Sequence, residues 1–116
     1  MAQAASFGKE EQEEIYHQFH ELVNMNPKQL EDWLQTDESK SVGFQNEGEK
    51  ESVGHESGRR IVQILHRKKA ELSDENYAHM RKVVGYIKRH SAQRPDGDVG
   101  NTRWRYSLMN WGHDPK

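Results

Sequence analysis

The sequence predicts an all-α fold, a small single domain of four to five helices with a loop-rich middle segment. Two observations support this prediction: apolar residues recur at helical spacing in five segments, and capping residues stand at several segment ends. A third is the length of 116 residues, which is typical of one domain. We expect a flexible tail over residues 1–8 and a single helical domain over residues 9–116.

The first two helices are predicted over residues 9–24 and 27–36. Glutamates crowd the first turns of the first helix, where acidic side chains interact favourably with the helix dipole. Asn26, Pro27 and Gln29 match the N-cap, first helical position and capping box of the second helix. The side chains expected to face the core are Ile15, Phe19, Leu22, Val23, Leu30, Trp33 and Leu34.

The middle of the chain, residues 37–56, has little apolar content and several glycines. We interpret it as a long loop, and loops of this length are usually functional or disordered. Because residues 37–51 lack periodic apolar side chains, we expect them to be more mobile than the helices around them.

The third helix is predicted from Ser57 or Gly58 to about Lys69. A turn with Ser73 as N-cap leads into the fourth helix, predicted over residues 74–90. The apolar sides of these two helices are formed by Ile61, Ile64, Leu65, Tyr77, Met80, Val83, Val84 and Ile87.

The last helix is predicted to begin at Asn101 or Thr102 and to end at Gly112, a typical C-terminal glycine. Its apolar residues Trp104, Leu108 and Trp111 follow helical spacing. Alternating side chains over residues 104–108 also permit a strand, although the helix is favoured. The predicted core joins all five helices and includes Phe19, Leu22, Trp33, Ile61, Leu65, Val84, Ile87 and Trp104.

Charge is divided between the two halves of the chain. Residues 1–51 carry four Lys and twelve Asp or Glu, a net charge of −8, and residues 52–116 carry thirteen Lys or Arg and seven Asp or Glu, a net charge of +6. An acidic section attached to a basic one indicates an anionic partner, with nucleic acid first.

Composition also excludes several classes of site. The chain has no Cys, so disulfides, thiolate nucleophiles and Cys-based zinc sites are absent, and an intracellular protein is expected. No apolar run approaches the length that crosses a bilayer, and the N-terminus lacks the order of a secretory signal.

The strongest functional signal lies on the predicted fourth helix. Four cations fall in one arc opposite its apolar side, with the small residues Ala78 and Gly85 between them. Small residues among cations let a phosphate backbone approach while Arg and Lys neutralise it. The alternative interpretation is a solvated face with one glycine at a helix crossing. The cations of this arc are Arg81, Lys82, Lys88 and Arg89.

A second candidate lies at residues 52–60, where a glycine-bearing loop is predicted to enter a helix N-terminus followed by Arg59 and Arg60. Free backbone N–H groups at such an end attract anions, and Arg60, Gln63 and Arg67 would extend a polar strip. The segment does not match the Walker A, GxSxG or HExxH patterns.

Other residue patterns are weaker. Residues 103–106 interleave cations and aromatics, which suits either a nucleic-acid surface or packing of Trp104 onto neighbouring helices. The predicted third and fourth helices resemble a helix-turn-helix in outline, but acidic residues at the fourth helix start would face phosphates. Seven histidines show no metal-ligand spacing, and His55 with Glu56 offers at most an isolated acid–base pair.

Four segments together resemble a small uncharacterised family of bacterial and fungal proteins. They are NPKQLEDWLQTDESKSVG, ESVGHESGRRIVQIL, AHMRKVVGYIKRHSAQRP and TRWRYSLMNWGHDP, and the closing SLMNWGHDP is the most recognisable. The resemblance spans about residues 26–115 and implies no catalytic residues. Some family members are loosely labelled DNA-binding, which implies a nucleic-acid partner.

The sequence therefore predicts a non-enzymatic module that binds DNA or RNA phosphates through a basic helical face, without a cofactor or metal. An alternative is a protein–protein interaction module that presents the same face to an acidic partner, and an uncharacterised enzyme is third. We expect an intracellular location, cytoplasmic or nuclear, and no membrane partner. The predicted contact residues are Arg59, Arg60, Arg67, Arg81, Lys82, Gly85, Lys88 and Arg89.

Overall fold

A computed structural model describes residues 7–43 and 51–115. Within these residues the fold is all-α, as predicted, with six α-helices rather than four or five, one 3₁₀ turn and no strand. The elements are α1 (Lys9–Leu22), α2 (Pro27–Leu34), α3 (Asp37–Ser41), α4 (Val53–Leu65), a 3₁₀ turn (Lys69–Glu71), α5 (Asp74–Ser91) and α6 (Arg103–Asn110).

The helices form two packed pairs joined by α6. Helix α1 lies along α5, α2 packs against α4, and α6 contacts α2, α3, α4 and α5. The short helix α6 therefore bridges the two pairs, which also touch directly where α4 meets α5. In the part of the chain that the structure describes, no helix has both the length and the apolar character required to cross a bilayer.

The core contains side chains from every predicted helix. Five of the eight predicted core residues are buried, and the other three are partly buried against the same cluster. Because neither Trp33 nor Trp104 is mostly exposed, the predicted core is confirmed. The buried five are Phe19, Ile61, Val84, Ile87 and Trp104, and the partly buried three are Leu22, Trp33 and Leu65.

Local capping explains where several helices begin. Asn26 and Gln29 form the predicted reciprocal capping box of α2, and Ser73 and Thr102 cap α5 and α6 through their hydroxyl groups. The last segment is helical from Arg103, so the strand interpretation is wrong.

The middle of the chain differs from the predicted loop. Residues 37–41 form α3, capped by Thr36, and α4 begins at Val53 rather than at Ser57 or Gly58. Residues 37–41 and 53–56 of the predicted loop are therefore helical. Residues 44–50 lie outside the described residues, so the mobility prediction stays a prediction.

One residue of the predicted N-terminal tail packs against the helices. Phe7 is buried and lies 6.4 Å, between ring centroids, from Tyr77 of α5. Residues 1–6 of the predicted tail lie outside the described part of the chain.

Candidate nucleic-acid interface

Helix α5 presents its four predicted cations on one exposed face. The opposite face of this 18-residue helix is buried, and it includes Met80, Val83 and Ile87. Since the helix turns about 100° per residue, positions 81, 82, 88 and 89 fall within an arc of roughly 120°. We call Arg81, Lys82, Lys88 and Arg89 the α5 basic face; all four are exposed.

The α5 basic face surrounds a shallow concavity of about 500 Å³. Buried Val84 contributes to its floor. The concavity thus brings together the four cations and the two small residues that the sequence predicted on this face. Its other lining residues are Ala78, Arg81, Lys82, Gly85, Lys88 and Arg89.

Gly85 leaves space on this face, and the Arg89 side chain occupies that space. A Cβ at Gly85 would lie 3.0 Å from Arg89 Nη1, so the Arg89 side chain folds back over the glycine one turn earlier. An approaching phosphate would meet the Arg89 guanidinium rather than bare helix backbone. The glycine therefore positions a cation on the helix surface.

Intramolecular carboxylates neutralise little of the α5 basic face. Arg81 Nη1 lies 3.9 Å from Glu11 Oε2 of α1, and both side chains are at least half exposed. Such a solvent-exposed pair contributes little stability and leaves Arg81 available. Among the described residues, no carboxylate lies within ion-pairing distance of Lys82, Lys88 or Arg89. Acidic α1 thus contacts the face at one residue and leaves three cations open.

The second predicted cluster lies mostly on the first turns of a helix rather than in a loop. Gly54 and Gly58 lie inside α4, where both are buried. Arg59 donates two hydrogen bonds to the Glu51 carboxylate, and the bond from Nε measures 2.8 Å. These bonds, with a smaller contribution from His55, lower the pKa of Glu51 to about 2. The Arg59 guanidinium is therefore already occupied by a carboxylate.

The predicted polar strip of Arg60, Gln63 and Arg67 is interrupted at the end of α4. Arg60 Nη2 lies 3.3 Å from Glu56 Oε2, one turn earlier on α4. Arg67 is exposed beyond His66, the residue that ends α4, so it does not continue the helical row of Arg60 and Gln63. The structure thus gathers the α5 residues into one surface and leaves Arg59, Arg60 and Arg67 outside its concavity.

The cations and aromatics of residues 103–106 hold the fold together. Trp104 is buried and donates a 2.8 Å hydrogen bond from Nε1 to the His90 carbonyl oxygen, while the Tyr106 ring packs on Trp33. Arg105 donates two hydrogen bonds of 2.9 and 3.0 Å to the Asp114 carboxylate. The packing interpretation is therefore correct for Trp104, which cannot stack on a base.

A row of rings beside the α5 basic face is absent from the sequence-based prediction. Near-parallel contacts link Trp104 to His90, His90 to Tyr86, Tyr86 to Trp111, and Trp111 to His79. The helical spacing of positions 79, 86 and 90 is a signal that could have indicated a common side of α5. The row fixes α6 and the segment after it against α5.

His79 lies where α4 and α5 meet. Its Nε2 is 2.9 Å from Ser57 Oγ. Burial, aided by the charges of Arg60 and Lys82, lowers the pKa of His79 to about 4. The imidazole is therefore neutral at physiological pH and serves the helix contact.

Asn110 organises the other side of α6, a role that the sequence did not indicate. Its Oδ1 accepts hydrogen bonds from Trp33 Nε1 at 2.7 Å and Ser39 Oγ at 2.5 Å, and its Nδ2 donates to the Ser39 carbonyl oxygen at 3.0 Å. Both Asn110 and Ser39 are almost fully buried. This amide thereby connects α2, α3 and α6.

The other residues of the closing segment also bind within the chain. His113 Nδ1 lies 2.6 Å from the Leu22 carbonyl oxygen, and Asn24 exchanges two hydrogen bonds with the backbone of Asp114. Gly112 has a φ of +83°, which favours glycine. The closing segment SLMNWGHDP therefore serves the fold by binding the end of α1 and the residues after it.

The described residues contain few side-chain groups arranged for metal binding or acid–base catalysis. In residues 7–43 and 51–115, no set of three or more His, Cys, Asp or Glu side chains is placed to hold a metal ion. The His55 ring contacts the Glu51 carboxylate through Nδ1 and the Leu34 carbonyl oxygen through Nε2. Since both ring nitrogens are occupied within the fold, His55 with Glu56 makes no acid–base pair.

Comparison with known proteins gives a match to a protein family. A family described as "Protein of unknown function (DUF3140)" matches residues 18–109. No curated protein and no solved structure matches the chain.

Proposed function

We propose a phosphate-binding function for this chain, which belongs to the DUF3140 family of proteins of unknown function. The α5 basic face would contact the phosphate backbone of DNA or RNA without reading its sequence. The observation that supports this most is the 500 Å³ concavity lined by four exposed cations, three of them without a carboxylate partner among the described residues. Phosphate contacts of this kind fix position and supply affinity, but carry no sequence information.

The arrangement of aromatic residues favours phosphate contact over base stacking. Trp104 is buried, and Tyr106 is half-buried against Trp33. Single-strand binders use exposed aromatic platforms for stacking, and residues 103–106 do not provide one. Affinity should therefore depend on charge and fall steeply with salt.

Net charge sets the expected strength of binding. The chain carries −2 at pH 7, and acidic α1 lies beside α5. Long-range attraction to a polyanion is therefore weak, and binding depends on the local field of the α5 basic face. Because nucleic acid is the proposed partner, the proposal includes an intracellular location.

A protein–protein interaction module is the second candidate. The contact between Arg81 and Glu11 favours it, because it shows a carboxylate of an acidic helix at the α5 basic face. An acidic segment of another protein could approach Lys82, Lys88 and Arg89 in the same way. Competition between a poly-glutamate peptide and duplex DNA of equal charge separates the two candidates.

A salt titration of duplex binding tests the proposal. Fluorescence anisotropy of a labelled, mixed-sequence duplex gives the dissociation constant from low to moderate salt. Each phosphate neutralised contributes about −0.9 to the slope of log affinity against log salt. The double variant Lys88→Gln, Arg89→Gln should weaken binding and flatten that slope by roughly two.

A control with the same change in net charge makes the result specific. Lys28 and Lys68 are exposed and lie outside the α5 concavity, so Lys28→Gln with Lys68→Gln should leave the slope nearly unchanged. Equal slopes for wild type and the α5 variant would show that this face does not meet phosphates. Absence of wild-type binding at low salt would also contradict the proposal.

A further inference from the structure

A second cavity adjoins the α5 basic face on the side of α6. It has a volume of about 260 Å³ and lies between the start of α4, α5 and the end of α6. This volume is just below that of sites for drug-sized ligands, roughly 300–1,000 Å³, so it suits a smaller molecule. Lys82 and Arg89 line both this cavity and the α5 concavity.

The walls of the cavity are mainly apolar. Trp111 and Tyr86 stack with ring centroids 4.2 Å apart, and Val53 lies on the opposing helix. The polar groups on the wall are largely used: the Asn110 amide binds Trp33 and Ser39. A nucleobase placed there would lose hydration at several polar edge atoms without regaining hydrogen bonds, which is costly. An apolar body is the better match.

Two cations line the cavity, Lys82 and Arg89. Lys82 and Arg89 are exposed, and among the described residues neither has a carboxylate within ion-pairing distance. Trp111 Nε1 adds a donor beside Gly54, where a Cβ would lie 3.0 Å from that nitrogen.

From this combination we infer that the cavity binds a small monocarboxylic acid with an aromatic or short alkyl body. The carboxylate lies against Lys82 and Arg89, and the body packs against Trp111 and Val53. This inference does not depend on nucleic-acid binding. If the proposed function also holds, the acid and phosphate compete for the same two cations, and the acid releases nucleic acid.

Titration of the full ¹⁵N-labelled chain with sodium benzoate tests the inference. The indole N–H signals of the three tryptophans report separately by NMR, and Trp111 is assigned with a Trp111→Phe variant. Benzoate should shift the Trp111 signal saturably, with a Kd of about 1 mM for so small a ligand. Acetate, which lacks the body, and benzyl alcohol, which lacks the charge, should bind at least about tenfold more weakly.

Two variants on one helix separate the cavity from general charge. Lys82→Gln should weaken benzoate binding about tenfold, as expected for loss of one charge-assisted contact. Lys88→Gln removes the same charge from a residue outside the cavity and should leave benzoate binding unchanged. Val53→Phe, which fills the cavity from α4, should abolish benzoate binding.

The outcomes also distinguish this inference from the proposed function. Non-saturable shifts, equal binding of acetate, or equal loss in Lys82→Gln and Lys88→Gln would overturn the cavity site while duplex binding persists. Conversely, failure of duplex binding with intact benzoate binding would overturn only the proposed function.

Discussion

Gly58 and Gly85 differ in what surrounds them. A Cβ at Gly58 in α4 would lie 2.6 Å from the Asn110 carbonyl oxygen and 2.7 Å from Leu34 Cδ2, both within the packed core. At Gly85 in α5, a Cβ would meet only the Arg89 guanidinium, the mobile end of a side chain. Gly58 therefore permits close packing of α4 against α6, whereas Gly85 lies on an open face.

This contrast predicts opposite stability changes for the same substitution. Gly58→Ala should destabilise the fold by about 1–3 kcal/mol, because the new methyl group forces core atoms apart. Gly85→Ala should stabilise it by about 0.5–1 kcal/mol, because alanine favours a helix interior and Arg89 can move. Urea unfolding of both variants measures the difference, and a stabilised Gly58→Ala would contradict the packing of α4.

Residue His79 makes a pH-dependent contribution to stability. Because burial lowers its folded-state pKa from 6.5 to about 4, the unfolded chain takes up its proton first as pH falls. Stability from the neutral imidazole is present above pH 6.5 and is lost as pH falls from about 6.5 to 4. The free energy of unfolding falls by at most roughly 1.4 kcal/mol for each pH unit crossed in this window. The loss due to Glu51, whose pKa is lowered from 4.5 to about 2, begins only below pH 4.5.

The matching measurement is the free energy of unfolding of wild type and His79→Gln at pH 7.5, 6.0 and 5.0. The variant should lose less stability over this range, since glutamine does not titrate and can still bond Ser57. Part of the slope should remain, because burial also lowers the pKa of His20 and His90. An identical slope in both proteins would show that His79 does not contribute.

Individual helices differ in how far the sequence determines them. Helix α5 was predicted within one residue, because its 18 residues combine a periodic apolar side with a Ser73 cap. Helix α3 was missed since five residues, DESKS, carry no apolar period and depend on the Thr36 cap. The early start of α4 was missed because Gly54 and Gly58 normally indicate a loop, whereas here they allow contact with Trp111 and Asn110.

Surface sites also differ in whether the local sequence or tertiary contacts determine them. The α5 basic face depends on helical phase alone, so the sequence predicted all of its members. Arg59 and Arg60, the predicted contacts on α4, have the carboxylate partners Glu51 and Glu56, which depend on where α4 begins. The cavity of Lys82 and Trp111 joins residues far apart in sequence, and no local pattern indicates it.

The distribution of charge over the whole molecule explains how an acidic protein can keep a basic surface. The negative half of the sequence includes α1, which lies along α5, yet among the described residues only Glu11 reaches an α5 cation. Lys69 of the basic half pairs with Glu13 instead. Among the described residues, the α5 basic face therefore keeps three cations without a carboxylate partner, and the proposed phosphate binding depends on them.

NMR mapping of duplex DNA on the ¹⁵N-labelled chain tests phosphate binding by the α5 basic face most directly. At low salt, a short mixed-sequence duplex should shift the amide signals of residues 78–89, and added salt should reverse the shifts. Signals around Arg59, which is held by Glu51, should stay unchanged. Shifts confined to α2 and α4, or no shifts at low salt, would contradict a phosphate-binding role for α5.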